Sequence, residues 1–251
     1  DMLERFIILL PVGFDRFDYL GNPQLEPEAN HQADLTLEYT HPDYGGVMLN
    51  GFYAYITDFI TGKRLAPAEQ VPLTADVLGV KQFYNASSAV LKGVEFAYQT
   101  PASLPFKIHL SAAYTHGTVE EATAYVKNAN GQITGETTIS DDAMPEIPPL
   151  EANLSINWPL FGGQLVPRAA LRLVSAQDHL SAAYEEDKTP GFQLLDIGVN
   201  YKFNEYVTVT GGINNLFDVA YYEHLNRRMI SSKGNLYEPG RIFFINLVLD
   251  I

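Results

Sequence analysis

Residues 150–173 read Leu150-Glu-Ala-Asn-Leu-Ser-Ile-Asn-Trp158, then Pro-Leu-Phe-Gly-Gly163, then Gln-Leu-Val-Pro-Arg168-Ala-Ala-Leu-Arg172-Leu173. Leu150, Ala152, Leu154, Ile156 and Trp158 alternate with Glu151, Asn153, Ser155 and Asn157. A period of two puts these sets on opposite faces of an extended strand. After the Phe161-Gly-Gly163 turn, Leu165, Ala169, Leu171 and Leu173 alternate with Arg168, Ala170 and Arg172. The stretch predicts a β-hairpin with one apolar and one charged face.

The same pattern extends in both directions. Ala33, Leu35, Leu37 and Tyr39 oppose Asp34, Thr36 and Glu38, and a run over 47–60 carries Phe52, Tyr53, Tyr55 and Phe59 with blurred alternation. Further strands are predicted over 83–99, from Phe106 to Thr115, over 195–203 and 206–214, and over 241–251, nine in all. The connections alternate in length: short at 41–46, 100–105, 160–163 and 204–205, long at 61–79, 117–147, 176–190 and 218–240. Tight turns at one end and long loops at the other are the arrangement of outer-membrane barrels, whose short turns face the periplasm. A strand needs only about 9–11 residues to cross a bilayer, so a mean hydropathy of -0.07 is compatible with spanning. The expected fold is all-β, an antiparallel transmembrane β-barrel with apolar faces in lipid and polar faces in the lumen.

The formal net charge of -14 excludes a nucleic-acid partner, because phosphate binding needs an excess of Lys and Arg. With no cysteine there is no disulfide framework and no thiolate metal site. No catalytic motif is present, neither Gly-x-Ser-x-Gly nor His-Glu-x-x-His nor a phosphate-cradling loop. No enzyme, cofactor or dedicated metal centre is expected.

Leu20-Gly-Asn-Pro23 with Leu25-Glu-Pro-Glu28, the spacing Asn85, Ala89, Gly93-Val-Glu95, and the series Asn214-Asn-Leu-Phe-Asp218, Tyr221-Tyr222 and Glu238-Pro-Gly-Arg241 run in order along nearly the whole chain. Together they resemble the barrel of TonB-dependent outer-membrane receptors. The resemblance implies about nine C-terminal strands of a 22-stranded barrel. The plug domain, TonB box and remaining strands would belong to the N-terminal part of the same receptor and are absent from this chain. It also implies the outer membrane of a Gram-negative bacterium and import of a scarce nutrient, a metal chelate such as a ferric siderophore, with cobalamin or copper as alternatives. The implied partners are TonB through the plug, that N-terminal part, outer-membrane lipid and lipopolysaccharide, and the small ligand. Residues 1–29 are expected as an extracellular loop and 30–251 as barrel strands with the four long loops outside. A soluble lectin-like β-sandwich is the alternative of another class.

The candidate ligand residues are Tyr221, Tyr222, His224, Arg227 and Arg228, whose aromatic faces and cations suit an anionic chelate. His116 and His179, near the outer ends of strands, join them for a metal or its chelate. Met144 and Met229 leave copper open. Glu95, Arg168, Arg172 and Arg241 are expected on the lumen face, toward the plug.

Overall fold

A computed structural model describes residues 2–11, 15–66, 69–130, 133–226 and 234–250. In chain order, a one-turn helix α1 (Met2–Phe6) and a short strand β1 (Phe17–Leu20) precede β2 (Ala29–His41) and β3 (Gly45–Thr57). Then follow β4 (Ile60–Arg64), β5 (Gly79–Asn85), β6 (Ala89–Gln99), β7 (Lys107–Lys127), β8 (Ile133–Ala143) and β9 (Glu151–Asn157). The chain closes with β10 (Leu165–Val174), β11 (Phe192–Lys202), β12 (Val207–Asn214) and β13 (Ile242–Leu249).

The nine predicted strands form one antiparallel sheet in the order β2-β3-β6-β7-β9-β10-β11-β12-β13, each paired with the next. Its register joins the alternating sets into continuous rows. Tyr39, Val47, Tyr98, Leu110, Leu154, Leu171 and Leu195 are successive cross-strand partners over seven strands. A second row runs Ile108, Ile156, Ala169, Ile197, Ile213, Phe243. Since a slip of one residue would turn every side chain over, the apolar pattern itself fixes this register.

The apolar face has no protein cover: Phe243 is 70% and Ile245 77% exposed. In a lectin-like sandwich that face would be the core, so the alternative fold is excluded by the bare sheet. The buried clusters lie instead toward the end of the long connections, one around Ala89, Val119, Ala122, Met144 and Ile147, another around Phe17, Tyr19 and Tyr184, a third around Val174, Phe192 and Leu194. On the other side, one cavity of about 740 Å³ is lined from β2 to β11, by Glu38, Gln99, His109, Asn153, Arg172 and Asp196 among others. A single hollow touched by seven consecutive barrel strands means that the polar face is concave.

The short turns occupy one end of the sheet. Phe161, Gly162 and Gly163 all adopt positive φ (52°, 66° and 89°), which the two glycines accept without strain. At the other end the structure departs from the sequence reading. The segment 117–147, expected as a long loop, is mostly a hairpin in which the outer half of β7 pairs with β8. The strand expected over 83–99 is broken at 86–88, where Asn85 Nδ2 donates to the carbonyls of Glu26 and Asp58 and draws the chain out of the barrel ladder. β5 then belongs to a separate three-stranded sheet, β1-β5-β4, with β1 and β5 parallel. Residues 1–29, expected as loop, therefore contain α1 and β1.

Leu154→Arg, in the middle of the longest apolar row, is expected to destabilise the barrel by about 2–4 kcal/mol, and Asn153→Arg on the concave face by much less. Unfolding by urea in detergent, followed by the gel shift between folded and unfolded barrel, measures the difference.

Candidate functional site

Above the sheet, the long connections lock into one polar layer centred on Lys81. This lysine is fully buried. Its Nζ lies 2.6 Å from Asp15 Oδ2 and 2.8 Å from the carbonyl of Tyr184, and sits 3.4 Å from the centroid of the Tyr184 ring. Tyr19 donates to Asp15 Oδ2 at 2.7 Å, its hydroxyl is 2.6 Å from that of Tyr184, and Tyr184 reaches Glu146 Oε1 at 2.9 Å. Burial lowers the pKa of Lys81, against which Asp15 holds the charge. Burial likewise pushes the phenols of Tyr19 and Tyr184 well above their usual range, so both remain hydrogen-bond donors. It also raises the Glu146 carboxyl, partly offset by the Tyr184 hydroxyl.

Around this centre the carboxylates are saturated. Arg64 grips both oxygens of Glu185 at 3.1 and 3.0 Å, and Lys127 adds a third contact at 2.8 Å. Asp142 accepts from the Ser181 hydroxyl at 2.7 Å and from the backbone N–H groups of Ala182 and Ala183. Glu186 accepts from the backbone of Ser181 and Glu146. Burial alone would raise the Glu186 carboxyl, but His224 and those two N–H groups bring it below the ordinary value. For Glu185 burial is overcome by Lys127 and Arg64, and its carboxyl is also lowered. Segments 15–20, 60–85, 118–147 and 176–190 are thereby tied into one body.

The residues expected from sequence are distributed over three places. His224 is buried in this layer, its Nδ1 2.9 Å from Thr189 Oγ1 and its Nε2 3.7 Å from Glu186. Tyr221 packs on Phe192 with ring centroids 4.4 Å apart, and Tyr222 meets Tyr237 edge-on at 5.3 Å. Arg227, Arg228 and Met229 lie outside the described residues. Met144 is buried and its backbone N–H donates to Gly117, so it presents no open thioether. Among the described residues no cluster of three or more His, Asp or Glu is placed to hold a metal ion.

The concave face holds three of the four lumen candidates. Glu95, Glu151 and Asn50 share one row of partners, and Asn50 Nδ2 donates to Glu95 at 3.4 Å. Arg168 lies over the Phe244 ring at 5.5 Å. Arg172 is engaged within the barrel, bidentate on Glu151 at 2.9 and 2.7 Å and bonded to Glu223 of the last long connection. Arg241 departs from its expected place: it precedes β13, whose alternation gives position 241 the parity of outward Phe243, and it uses its backbone N–H on Asp218 Oδ1 at 2.8 Å.

His116 and His179 are brought together, their rings stacked at 4.4 Å and 17°. His116, however, pairs with Lys92, which pairs with Tyr53, all in the register of the apolar face. They lie on the outside of the barrel rather than at its mouth. Sequence reasoning missed Asp15, Lys81, Glu146 and Tyr184 altogether. Nothing in Gly79-Val-Lys-Gln-Phe-Tyr-Asn85 marks its lysine as buried, because its partners come from segments as far as 103 residues away.

The family model for the TonB-dependent receptor-like β-barrel matches residues 8–216. The chain belongs to the TonB-dependent receptor family. As a receptor barrel it is a Gram-negative outer-membrane protein. It is similar, at 21% identity over 91% of the chain, to the ferric enterobactin receptor PirA of Pseudomonas aeruginosa, and at 24% over 90% to the iron-regulated outer membrane virulence protein of Vibrio cholerae. It spans about a third or less of these relatives, 28% and 32% of their length. Among solved structures, the copper transporter OprC superposes with a TM-score of 0.69 at 24% identity, over 90% of this chain and 32% of that one. A ferric enterobactin receptor (PfeA) mutant from Pseudomonas aeruginosa, in complex with enterobactin, gives 0.59 at 18%, over 92% and 33%. At these identities the likeness to solved structures establishes the fold of the receptor barrel.

Two outcomes test the loop layer. Lys81→Ala leaves Asp15 buried without its cation and should weaken the layer by about 3–5 kcal/mol, seen as faster proteolysis of 60–85 and 176–190 in an intact barrel. Because the Glu185 carboxyl is lowered on folding, its contribution is present above the unfolded value, about 4.3, and is lost as pH falls through the folded one. Protection at Ile60–Arg64, taken as hydrogen exchange relative to the intrinsic rate at each pH, should therefore fall on acidification from pH 7 to below about 4, and fall less in Glu185→Gln, which lacks the ionisable group.

Proposed function

We propose that this chain supplies wall strands and outer loops of an energised importer that takes a scarce metal chelate of the ferric siderophore class from outside the cell. The observation that carries the reading is the concave polar face, hollow over about 740 Å³ and bordered at one end by interlocked long connections. Such a surface gives a wet lumen wall under a vestibule. The names of the curated relatives, a ferric enterobactin receptor and an iron-regulated outer membrane protein, favour iron. Copper, the cargo named for one structural relative, has less support from these residues, since Met144 is buried.

In this reading the long connections face outside and the short turns face the periplasm. TonB acts through a plug contributed by another part of the receptor, which rests against Glu95 and Arg168. Tyr221, Tyr222, Arg227 and Arg228 of the last long connection contribute to ligand capture, with His224 positioning that connection through Thr189 and Glu186. In a chain of net charge -14, adjacent arginines are a rare concentration of cations for an anionic chelate. His116 and His179 have no part in that surface because they face outward.

Orientation is tested by single cysteines, which the native chain lacks. An impermeant maleimide on intact cells should label Asn130→Cys at the tip of the β7–β8 hairpin and spare Ala102→Cys in a short turn. The reverse pattern would invert the barrel. In the whole receptor, replacing Arg227 and Arg228 together by Ala should weaken ferric siderophore binding at least about tenfold, from the loss of charge-assisted hydrogen bonds. Unchanged binding would remove them from the site.

A further inference from the structure

The β7–β8 hairpin leaves one strand edge open. β7 parts from β9 at Ala113 and from β6 at Val119, and from there to Lys127 its ladder partner is β8 alone. At about 3.3 Å per residue, this carries the hairpin about 25 Å past the barrel ladder along its own axis. The edge of β7 is closed by neighbouring chain. The N–H of Glu121 donates to Ser87 Oγ at 2.6 Å, that of Ser87 to the carbonyl of Glu121 at 3.3 Å, and that of Thr123 to the Tyr84 hydroxyl at 3.0 Å. The edge of β8 has no such cover. Among the described residues the backbone of 133–140 pairs only with β7, so every second residue turns its N–H and C=O outward.

An exposed edge is a template for another strand, and proteins commonly blunt it with lysine or proline. β8 contains neither. It is also held in place. At its base Asp142 accepts from Ser181, Ala182 and Ala183, and at the tip of β7 Lys127 is bound to Glu185 at 2.8 Å. An edge presented in a fixed position costs a docking strand less order than a mobile one.

The side chains along the edge select what docks. In the register of the hairpin, Gly135, Thr137 and Ile139 share one face with Val126, Ala124 and Ala122, while Glu136, Thr138 and Ser140 share the other with Tyr125, Thr123 and Glu121. The Glu136 carboxylate accepts from the Tyr125 hydroxyl at 3.0 Å. Among the described residues neither Glu136 nor Glu121 has a cation partner. A strand laid along β8 would place alternate side chains on the Glu136 face and the others over Thr137 and Ile139. A second copy of this chain, net charge -14, would bring its own carboxylates against these, which is unfavourable across a strand pair.

We propose that the free edge of β8 is a docking site for an extended cationic segment of another protein, whose lysines or arginines alternate with small or apolar residues, added as a further strand. Main-chain hydrogen bonds to 133–140 supply the affinity, and Glu136, with Glu121 one strand further in, selects the charge. The site is separate from the concave face and depends on neither the cargo nor the orientation of the import reading.

The experiment uses the whole receptor in mild detergent and, as probe, a labelled peptide of alternating lysine and valine with blocked ends. Fluorescence anisotropy should show saturable binding. Two further peptides are methylated on the backbone nitrogens, one at every lysine and one at every valine, since only one of these sets faces β8. One of the two should bind at least about tenfold more weakly, from lost main-chain hydrogen bonds. A peptide with glutamate in place of lysine should not bind. Glu121→Gln/Glu136→Gln should weaken binding about threefold or more, and Glu205→Gln, in a short turn, should leave it unchanged. The gel shift of the folded barrel shows that each variant is intact. Hydrogen exchange should slow at 133–140 on adding peptide and stay the same in Glu151–Asn157. No saturable binding by wild type overturns the site. So does equal binding of both methylated peptides, which would reduce it to unspecific attraction of charge, or protection on the concave face instead of β8. Doubled mass by light scattering, with 133–140 already protected before peptide is added, would overturn it in favour of a second copy.

Discussion

In a bilayer every backbone N–H and C=O must find its partner within the protein, because lipid offers none. The whole architecture follows from that requirement. Nine strands of this chain meet it toward one another through an unbroken antiparallel ladder from β2 to β13, with only the outer edges of β2 and β13 in that ladder unpaired among the described residues, and the side chains are then free to serve the two solvents on either side. Rows such as Tyr39 to Leu195 face lipid with no protein above them, and rows such as Asn50, Glu95, Ala113 and Glu151 face the hollow. A single register error would exchange lipid and lumen across a strand, a penalty repeated at each position, and so the pairing is unambiguous.

Once the ladder leaves the membrane, a different rule applies. The long connections bury small apolar clusters, around Val119, Met144 and Ile147 and around Phe17 and Tyr184, and satisfied charge joins these into one layer. Lys81 with Asp15, Glu185 with Arg64 and Lys127, and Asp142 with three donors of the 181–183 turn are each formed between segments distant in sequence. Buried ion pairs contribute little net stability compared with apolar packing, but removing one member is costly. Such charge networks specify one arrangement of the loops around their apolar clusters. That suits a surface that must present a defined vestibule while remaining wet.

The two faces thus divide the work. The concave face and the loop layer carry the charged and polar groups, and the outward face carries the exposed apolar band that meets acyl chains. Arg172 links the first pair: it is anchored on Glu151 in the wall and on Glu223 in the last long connection, so the position of that connection is set from the lumen.

Period-two alternation, turn residues and the alternation of short and long connections determined the barrel, its nine strands and the outward or inward assignment of Leu154, Asn153, Arg168 and Arg172. These are local properties, legible because lipid and lumen act on every second residue. The parity of Arg241 was legible in the same way, since position 241 shares that of Phe243. The tertiary structure alone decided what lies beyond the membrane. The break at 86–88, the parallel pairing of β1 with β5, the β7–β8 hairpin and the burial of Lys81 depend on partners tens of residues away, and no short-range pattern encodes them. His116 and His179 show both limits at once. Sequence placed them near outer strand ends, but only the register with Lys92 and Tyr53 turned His116 away from the lumen, because alternation had to be counted across three strands to know which solvent that position meets.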